Sequence, residues 1–240
     1  MQEPLVIGII GAMEEEVEHL KCELENEHVV CHAGMELYTG TLGGVRVAVA
    51  QCGIGKVNAA LCAQALHMCC GATCIVNTGV AGSLDARINI GDIVVSTDAV
   101  EHDFDVSALG YEPGVIPDMD VSVFVADERM RAAALEAVAA MASDVQVFEG
   151  RVASGDQFIA SEEQKERIVS TFGALCCEME GASIAHACHA MGVPFVVIRA
   201  ISDKADGSAH MDYPMFEVKA ADHCARIVEH MVRTLSEDAE

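Results

Sequence analysis

The sequence predicts a three-layer α/β/α protein built on a central mixed, largely parallel sheet, and three observations carry that prediction. Strand-like apolar runs alternate with helical patterns along almost the whole chain, an arrangement that places helices on both faces of a sheet. Three of these runs end abruptly in carboxylates: Val6 to Gly11 runs into Glu14-Glu15-Glu16, Leu175 to Cys177 into Glu178-Met179-Glu180, and Phe195 to Ile201 into Ser202-Asp203. Ligands of α/β proteins collect at the carboxyl ends of strands, so three acidic strand ends point to one acidic pocket. Other runs lead into small-residue turns, at Gly53-Ile54-Gly55-Lys56 and at Gly79-Val80-Ala81-Gly82-Ser83.

Val6 to Gly11 reads as a buried strand and Met13 to about Asn26 as a helix, with Met13, Val17 and Leu20 at helical spacing. Leu37 to Thr41 and Val45 to Gln51 flank Leu42-Gly43-Gly44, a hairpin signal. An Ala-rich helix follows from Val57 to about Met68, and Cys74 to Thr78 is another buried strand closed by Gly79 to Ser83. Gly91 to Ser96 begins a strand that runs toward the polar segment Glu101-His102-Asp103-Phe104-Asp105. From Leu109 to Asp120, Gly110, Pro113-Gly114 and Pro117 mark a long loop, and such loops are often functional. Asp127 to Ala142 reads as a helix, Val145 to Ser154 as a strand and Glu162 to Phe172 as a polar surface helix. Leu175 to Glu178 feeds a helix from Gly181 to Met191, Pro194 to Ile201 is the last central strand, and Pro214 to Leu235 a closing helix. No repeat or linker interrupts the series, and Ser236 to Glu240 is expected to fray.

Composition narrows the function classes. At 240 residues and 52% hydrophobic, the chain can bury a sizeable core and reads as a single catalytic domain over 1–240. Its formal charge of −24, from 38 acidic against 14 basic residues, would repel a phosphate backbone, which argues against nucleic acid and anionic membranes as partners. Met1-Gln2-Glu3-Pro4 has no basic leader and no apolar run approaches the ~20 residues of a membrane span, so a cytoplasmic location is expected. The eleven Cys are odd in number, sit mainly in apolar segments and form no C-x-x-C pair, so they read as reduced buried thiols. His186, Cys188 and His189 share one helix, and His102, Asp103, Asp105 and His210 read as scattered loop residues, so no metal site is expected.

Gly8-Ile9-Ile10-Gly11-Ala12-Met13 lacks the dinucleotide spacing, and three carboxylates follow where a pyrophosphate would need positive charge. One like-charge pair at about 4 Å costs about 4 kcal/mol at an effective dielectric of about 20, so phosphate is unwelcome beside Glu14 to Glu16. Gly53 to Lys56 lacks the Walker spacing and fits a tight strand-to-helix turn better than a phosphate loop. In Asn77-Thr78-Gly79-Val80-Ala81-Gly82, small residues let a ligand approach the backbone closely.

Together, Gly8 to Val17, Gly53 to Val57, Asn77 to Gly82, Gly91 to Ser96, Ser154 to Ile159, Glu178 to Ala182 and Arg199 to Asp206 resemble the 5′-methylthioadenosine/S-adenosylhomocysteine nucleosidases. These are the hydrolase branch of the purine nucleoside phosphorylase fold family, and the likeness runs colinearly from Leu5 to about Val232. It implies a nucleoside phosphorylase-like fold, hydrolysis of the adenine–thioribose bond for methionine salvage and adenosylhomocysteine removal, and no cofactor. The residues suit that reaction independently: an oxocarbenium-like transition state needs a proton donor, a base for water and negative charge near the sugar.

By the resemblance, Asp203 is the general acid to adenine N7 and Ser202 orients it, although a lone Ser-Asp at a strand end would otherwise read as a helix N-cap. An Asp with an ordinary pKa of ~3.9 must be raised by burial to carry that proton. Glu16 is the base for the attacking water, where the alternative is an exposed first-turn carboxylate such as Glu14 or Glu15. Glu180 binds the ribose hydroxyls, Met179 packs on the ribose unless it is core filling, and Glu178 supports Glu180. Arg199 lies near Glu16 and the water, a place compatible with a buried counterion. Phe158 and Ile159 hold the base, with Val80, Ala81 and Gly82 close to the ligand, and Ile54, Tyr213 and Phe216 form an apolar wall for the 5′ arm. Leu109, Tyr111 and Pro117 reach into a neighbouring subunit's pocket, which implies a homodimer. Val80 departs from the family's usual Asn-Thr-Gly-Ser-Ala-Gly by removing a hydroxyl, and Lys204 is a second, peripheral difference. The competing readings are a phosphorylase, a 6-amino-6-deoxyfutalosine nucleosidase with the same carboxylates, and a non-catalytic nucleoside-binding module. Binding alone does not need three carboxylates.

Overall fold

The computed structural model describes residues 4–141 and 145–237. The leading residues 1–3, the expected helix end Ala142 and the expected frayed residues 238–240 lie outside it. Strands β1 (Ile7–Gly11), β4 (Val45–Gln51), β5 (Cys74–Ser83) and β10 (Phe195–Asp203) are mutually parallel neighbours, in the order β4-β1-β5-β10. Their inward residues, among them Ile7, Ile9, Ile10, Val49, Ile75, Val76, Val197 and Ile198, are wholly buried, as continuous apolar runs covered on both faces must be. Helices α1 (Glu14–Cys22), α3 (Glu128–Met141) and α6 (Ala209–Glu237) pack together on one face, and α2 (Lys56–Cys70) and α5 (Gly181–Met191) on the other.

On the far side of β5 the sheet curls shut. Strand β6 (Ile93–Glu101) pairs antiparallel with β10, β8 (Val147–Ser154) parallel with β6, β9 (Cys176–Glu178) parallel with β8, and β9 antiparallel with β5. These five strands close a circuit, which forces their ends to converge. The sheet is mixed with flanking helices, as the alternation predicts. Short β7 (Phe124–Val125) pairs with β6 beyond the loop, and α4 (Glu162–Phe172) is amphipathic and surface-lying, capped by Ser161. No helix among the described residues is long and apolar enough to cross a membrane.

Several boundaries differ from the sequence reading. The first helix ends at Cys22 rather than near Asn26, because Glu25–His32 forms an edge strand, β2, on β3 (Met35–Leu42). Every residue of β2 is exposed, so it is held by hydrogen bonds to β3 rather than by an apolar face and leaves no period-2 apolar trace. The hairpin β3–β4 turns at Gly43 and Gly44, both with positive φ as a two-residue turn requires. Gly79 to Ser83 is not a closing loop: β5 continues from Thr78 to Ser83, because β9 and β10 pair with its end. The last helix starts at Ala209, not at Pro214, because Asp206 accepts the Ser208 N–H and hydroxyl and initiates the turn earlier. Its far end runs on through Ser236 to Glu237 instead of fraying at Ser236.

Candidate active site

The closed circuit brings Cys177, Gly82 and Asp203 side by side, because Gly82 is the register partner of both. A register shift between Ile201 and Asp203 re-aims the end of β10, a common use of a bulge. Asp203 is 2% exposed; Ser202 Oγ donates to its Oδ2 at 2.9 Å and Ala205 N–H to its Oδ1 at 2.8 Å. Burial raises its carboxyl above the ordinary range, and these two donors only partly offset that. Asp203 caps no helix, since α6 begins six residues later.

Glu16 stands at the third position of α1, where an exposed carboxylate would normally collect on the helix dipole. Glu14 and Glu15 are exposed in that way, but Glu16 folds back under the turn and is buried. Its Oε2 accepts Ala12 N–H at 2.6 Å and Met13 N–H at 3.1 Å, and its Oε1 accepts Val80 N–H at 3.0 Å. Burial nevertheless raises its pKa, against the pull of Arg199 and the three amides. Gly79 makes this packing feasible: a Cβ there would overlap Arg199 Nη1 and Glu16 Oε1.

Arg199 is fully buried on β10. Its Nη2 donates to Glu178 Oε2 and, at 2.6 Å, to Asn77 Oδ1, and stands 3.8 Å from Glu180 Oε2. Glu178 also accepts Ser154 Oγ, Glu180 N–H at 3.1 Å and Gly181 N–H at 2.7 Å, so it is saturated with donors. Burial opposes the charge on Arg199, yet Glu178, Glu16 and Glu180 together hold its pKa above the ordinary value. Its Nε and Nη1 have no partner among the described residues, leaving two buried donors for a ligand or water. Glu180 accepts Gly55 N–H at 2.9 Å; burial, and then Glu178, push its pKa up to about 7.

The four carboxyls, Glu16, Glu178, Glu180 and Asp203, border one cavity of about 320 Å³. Of the residues expected at the site, Glu16, Ile54, Val80, Ala81, Gly82, Phe158, Ile159, Glu178, Met179, Glu180, Ser202, Asp203 and Tyr213 line it. Arg199 lies beneath that lining, against the carboxylates. The Phe158 ring meets Tyr213 edge-on, with centroids 5.6 Å apart. Phe216, expected in the apolar wall, does not line the cavity: it follows Tyr213 on α6 by three positions and is only half-buried. Leu109, Tyr111 and Pro117 lie off the chain's own cavity, with Leu109 74% and Tyr111 42% exposed. Lys204 also lies away from it, its ammonium bonded to the Ile88 carbonyl. Ala12, Met13, Gln157 and Cys177 line the cavity without having been singled out. Each neighbours a residue that was, and Cys177 was legible only as one apolar thiol among eleven. Asp103 and Asp105 are engaged elsewhere, on Lys56 and on the Ser107 N–H, and no group of three or more His, Cys, Asp or Glu among the described residues could hold a metal ion.

A mixed sheet closed at one end, with buried carboxylates bordering an apolar cleft at its strand ends, is an arrangement suited to acid–base chemistry on a small molecule. A model of the phosphorylase superfamily matches residues 6–233, and the chain belongs to that superfamily. It is similar to the 5′-methylthioadenosine/S-adenosylhomocysteine nucleosidase of Neisseria meningitidis, solved with methylthio-immucillin-A, at 37% identity over 95% of this chain and 99% of that one, with a TM-score of 0.92. The corresponding nucleosidase of Colwellia psychrerythraea, solved with adenine, is 37% identical over 97% and 96%, with a TM-score of 0.93. The futalosine hydrolase of Helicobacter pylori is 36% identical over 95% and 97%, with a TM-score of 0.90. Within the superfamily, the chain is therefore a nucleosidase, an N-glycosyl hydrolase.

The raised Glu180 carboxyl has a measurable consequence for stability. Its folded pKa of about 7 exceeds the ordinary 4.5, so folding favours the protonated form. That contribution is complete below about pH 4.5 and is lost as pH rises through about 7. Glu180→Gln mimics the protonated form at every pH. Urea unfolding is expected to show the variant more stable than the parent at pH 8, by on the order of 2 kcal/mol, with the difference vanishing near pH 4. A variant less stable at pH 8 would mean that the ionised form is the one the fold prefers.

Proposed function

We propose that the chain hydrolyses the N-glycosidic bond of 5′-methylthioadenosine and S-adenosylhomocysteine, releasing adenine and the 5-thioribose. The observation that carries this reading is the convergence on one largely apolar cavity of a buried and raised Asp203 with Glu16 and Glu180. A departing purine needs a proton, and burial shifts the Asp203 carboxyl toward the protonated form that can give one; Asp203 is assigned to adenine N7, oriented by Ser202. Glu16 takes the proton of the attacking water, with Arg199 beneath it supplying free donors. Glu180 receives the ribose hydroxyls and its charge stabilises the developing sugar cation, while Met179 packs on the sugar. Phe158 and Ile159 hold the base, and Ile54 and Tyr213 form the wall for the 5′ arm. Val80 places two methyls where a hydroxyl would otherwise stand, so the backbone N–H of Val80 on Glu16 is its polar contribution.

Water rather than phosphate is supported by the lining itself. None of the described residues that border the cavity is Lys or Arg, and a phosphate there would face Glu16 and Glu180. The exposed Leu109 and Tyr111, with Pro117, suit a loop that completes the 5′ site of a second copy, and we assign the working form as a homodimer with one catalytic unit per chain. A second reading has a specific support: the similarity to a futalosine hydrolase at 36% identity matches nearly as well, which favours 6-amino-6-deoxyfutalosine as an alternative substrate of the same carboxylates.

Purified protein offered methylthioadenosine, adenosylhomocysteine, 5′-deoxyadenosine, aminodeoxyfutalosine and inosine, each with and without phosphate, tests the reading. Adenine and free 5-methylthioribose in phosphate-free buffer, with the thio-nucleosides the best substrates by kcat/KM, are expected. A clear preference for aminodeoxyfutalosine would transfer the assignment to the second reading, and recovery of 5-methylthioribose 1-phosphate would sink the hydrolytic one.

Asp203→Asn keeps the size and one of the two accepted hydrogen bonds but cannot give an acidic proton, so adenine release is expected to fall by about 10²–10⁴. A riboside whose leaving group departs as a stable anion needs no such proton and should lose far less, whereas Glu16→Gln should harm both. Equal losses on both substrates in Asp203→Asn would make Asp203 a structural group rather than the acid.

A further inference from the structure

Two motifs of the sequence contribute no charged side chain to the carboxylate cluster, Gly53-Ile54-Gly55-Lys56 and Glu101-His102-Asp103-Phe104-Asp105, yet the fold joins them at its edge. Lys56 Nζ donates to Asp103 Oδ1 at 2.6 Å and to Glu101 Oε2 at 3.1 Å, and the other Glu101 oxygen meets His186 Nδ1 at 3.0 Å. The second oxygen of Asp103 accepts the Asp156 N–H at 2.8 Å. Asp156 Oδ1 in turn accepts the backbone N–H of Lys56 at 2.9 Å, which closes a ring of contacts from Lys56 through Asp103 and Asp156 back to Lys56.

Asp156 is the second residue of the segment 155–160, which belongs to no helix or strand and carries Phe158 and Ile159 to the cavity. The hydrogen bonds holding it include Gly155 N–H to the Glu178 carbonyl at 3.1 Å and the two that run through Asp156. Gly155 allows the close approach: a Cβ there would lie 2.6 Å from His102 Nε2 and 2.9 Å from Asp103 Cγ. One residue before Lys56, Gly55 N–H holds Glu180. Successive amides at the start of α2 therefore hold the segment that meets the base and the carboxylate that meets the sugar.

We infer that Lys56 and Asp103 are positioning residues: their ion pair sets where segment 155–160 stands relative to Glu180, and so how Phe158 and Ile159 meet the base. This rests on the reading of Phe158 and Ile159 as the base site. The pair is suited to the task, since the two side chains are only 18% and 13% exposed and are screened less than a surface pair. Burial works against both charges, but Lys56 and the Asp156 N–H hold the Asp103 carboxyl below its ordinary range, and Asp103 with Glu101 holds the Lys56 ammonium above its own. Without the ammonium, Asp103 and Glu101 are left as neighbouring carboxylates with no cation between them.

The test is adenine affinity by calorimetry together with hydrogen exchange of residues 155–160, in the parent, Lys56→Met, Lys56→Arg, Asp103→Asn and Phe158→Ala. Lys56→Met keeps the stem and the backbone N–H. It is expected to weaken adenine binding about tenfold, as loss of a charge-assisted contact does, to speed exchange in 155–160, and to raise KM more than it lowers kcat. Lys56→Arg should stay within about threefold of the parent, because the charge is restored. Asp103→Asn carries the same expectation as Lys56→Met and replaces it if that variant does not fold. Parent-like adenine affinity and unchanged exchange in 155–160 would overturn the inference, provided Phe158→Ala weakens adenine binding. If Phe158→Ala leaves adenine affinity unaltered, the base-site reading fails instead, and exchange alone decides: unchanged protection in Lys56→Met overturns the positioning role and accelerated exchange upholds it.

Discussion

Arg199 is a guanidinium with no exposed surface, facing Glu16, Glu178 and Glu180, and the rest of the site depends on how that one cation is shared. A buried charge is tolerated only when its partners are fixed, and removing one partner of such a set costs about 3–5 kcal/mol. The fold supplies that fixity from three strands and a helix: Arg199 from β10, Asn77 and Gly79 from β5, Glu178 from β9, and Glu16 from the first turn of α1. Asn77 is tied in turn to the Ile10 carbonyl by its Nδ2 at 3.0 Å, so the arginine is clamped to the sheet rather than only to acids. The glycine at position 79 follows from the same demand, since any side chain there would occupy the space of the ion cluster.

The four acids around this centre are told apart by their donors. Glu178 accepts from a hydroxyl, two amides and the guanidinium, which makes it a fixed brace for Arg199 and for the start of α5. Glu16, Glu180 and Asp203 have fewer or weaker compensations for burial, and all three are raised. Carboxyls of one cavity set apart by their surroundings are what acid and base roles near neutral pH require. The apolar side of the cavity, with Ile54, Phe158 and Tyr213, keeps water scarce and strengthens each of these interactions.

Much of this was legible in the sequence because strand ends announce themselves. Apolar runs stopping at Glu14, Glu178 and Ser202, interrupted only by Arg199, located both the sheet and the pocket, since a strand buried on both faces carries few polar residues until it leaves the core. What escaped depends on contacts between distant segments. β2 is exposed throughout and exists only by pairing with β3; the end of β5 is strand rather than loop only because β9 and β10 flank it. Asn77 as the clamp of Arg199, Gly55 as the donor to Glu180 and Cys177 as a wall residue follow from sheet closure, which no local pattern encodes. Phe216 shows the reverse case: a plausible aromatic near Tyr213 is turned aside by the period of a helix that begins earlier than Pro214 suggests.

The account turns on the claim that Arg199 holds Glu16 and Glu180 down against the pull of burial. Carbon-13 titration of the glutamate carboxyls in the parent and in Arg199→Met measures this directly. The account predicts higher titration midpoints for both Glu16 and Glu180 in the folded variant, because the attraction that lowers each is gone while the burial remains. Midpoints unchanged from the parent would contradict it.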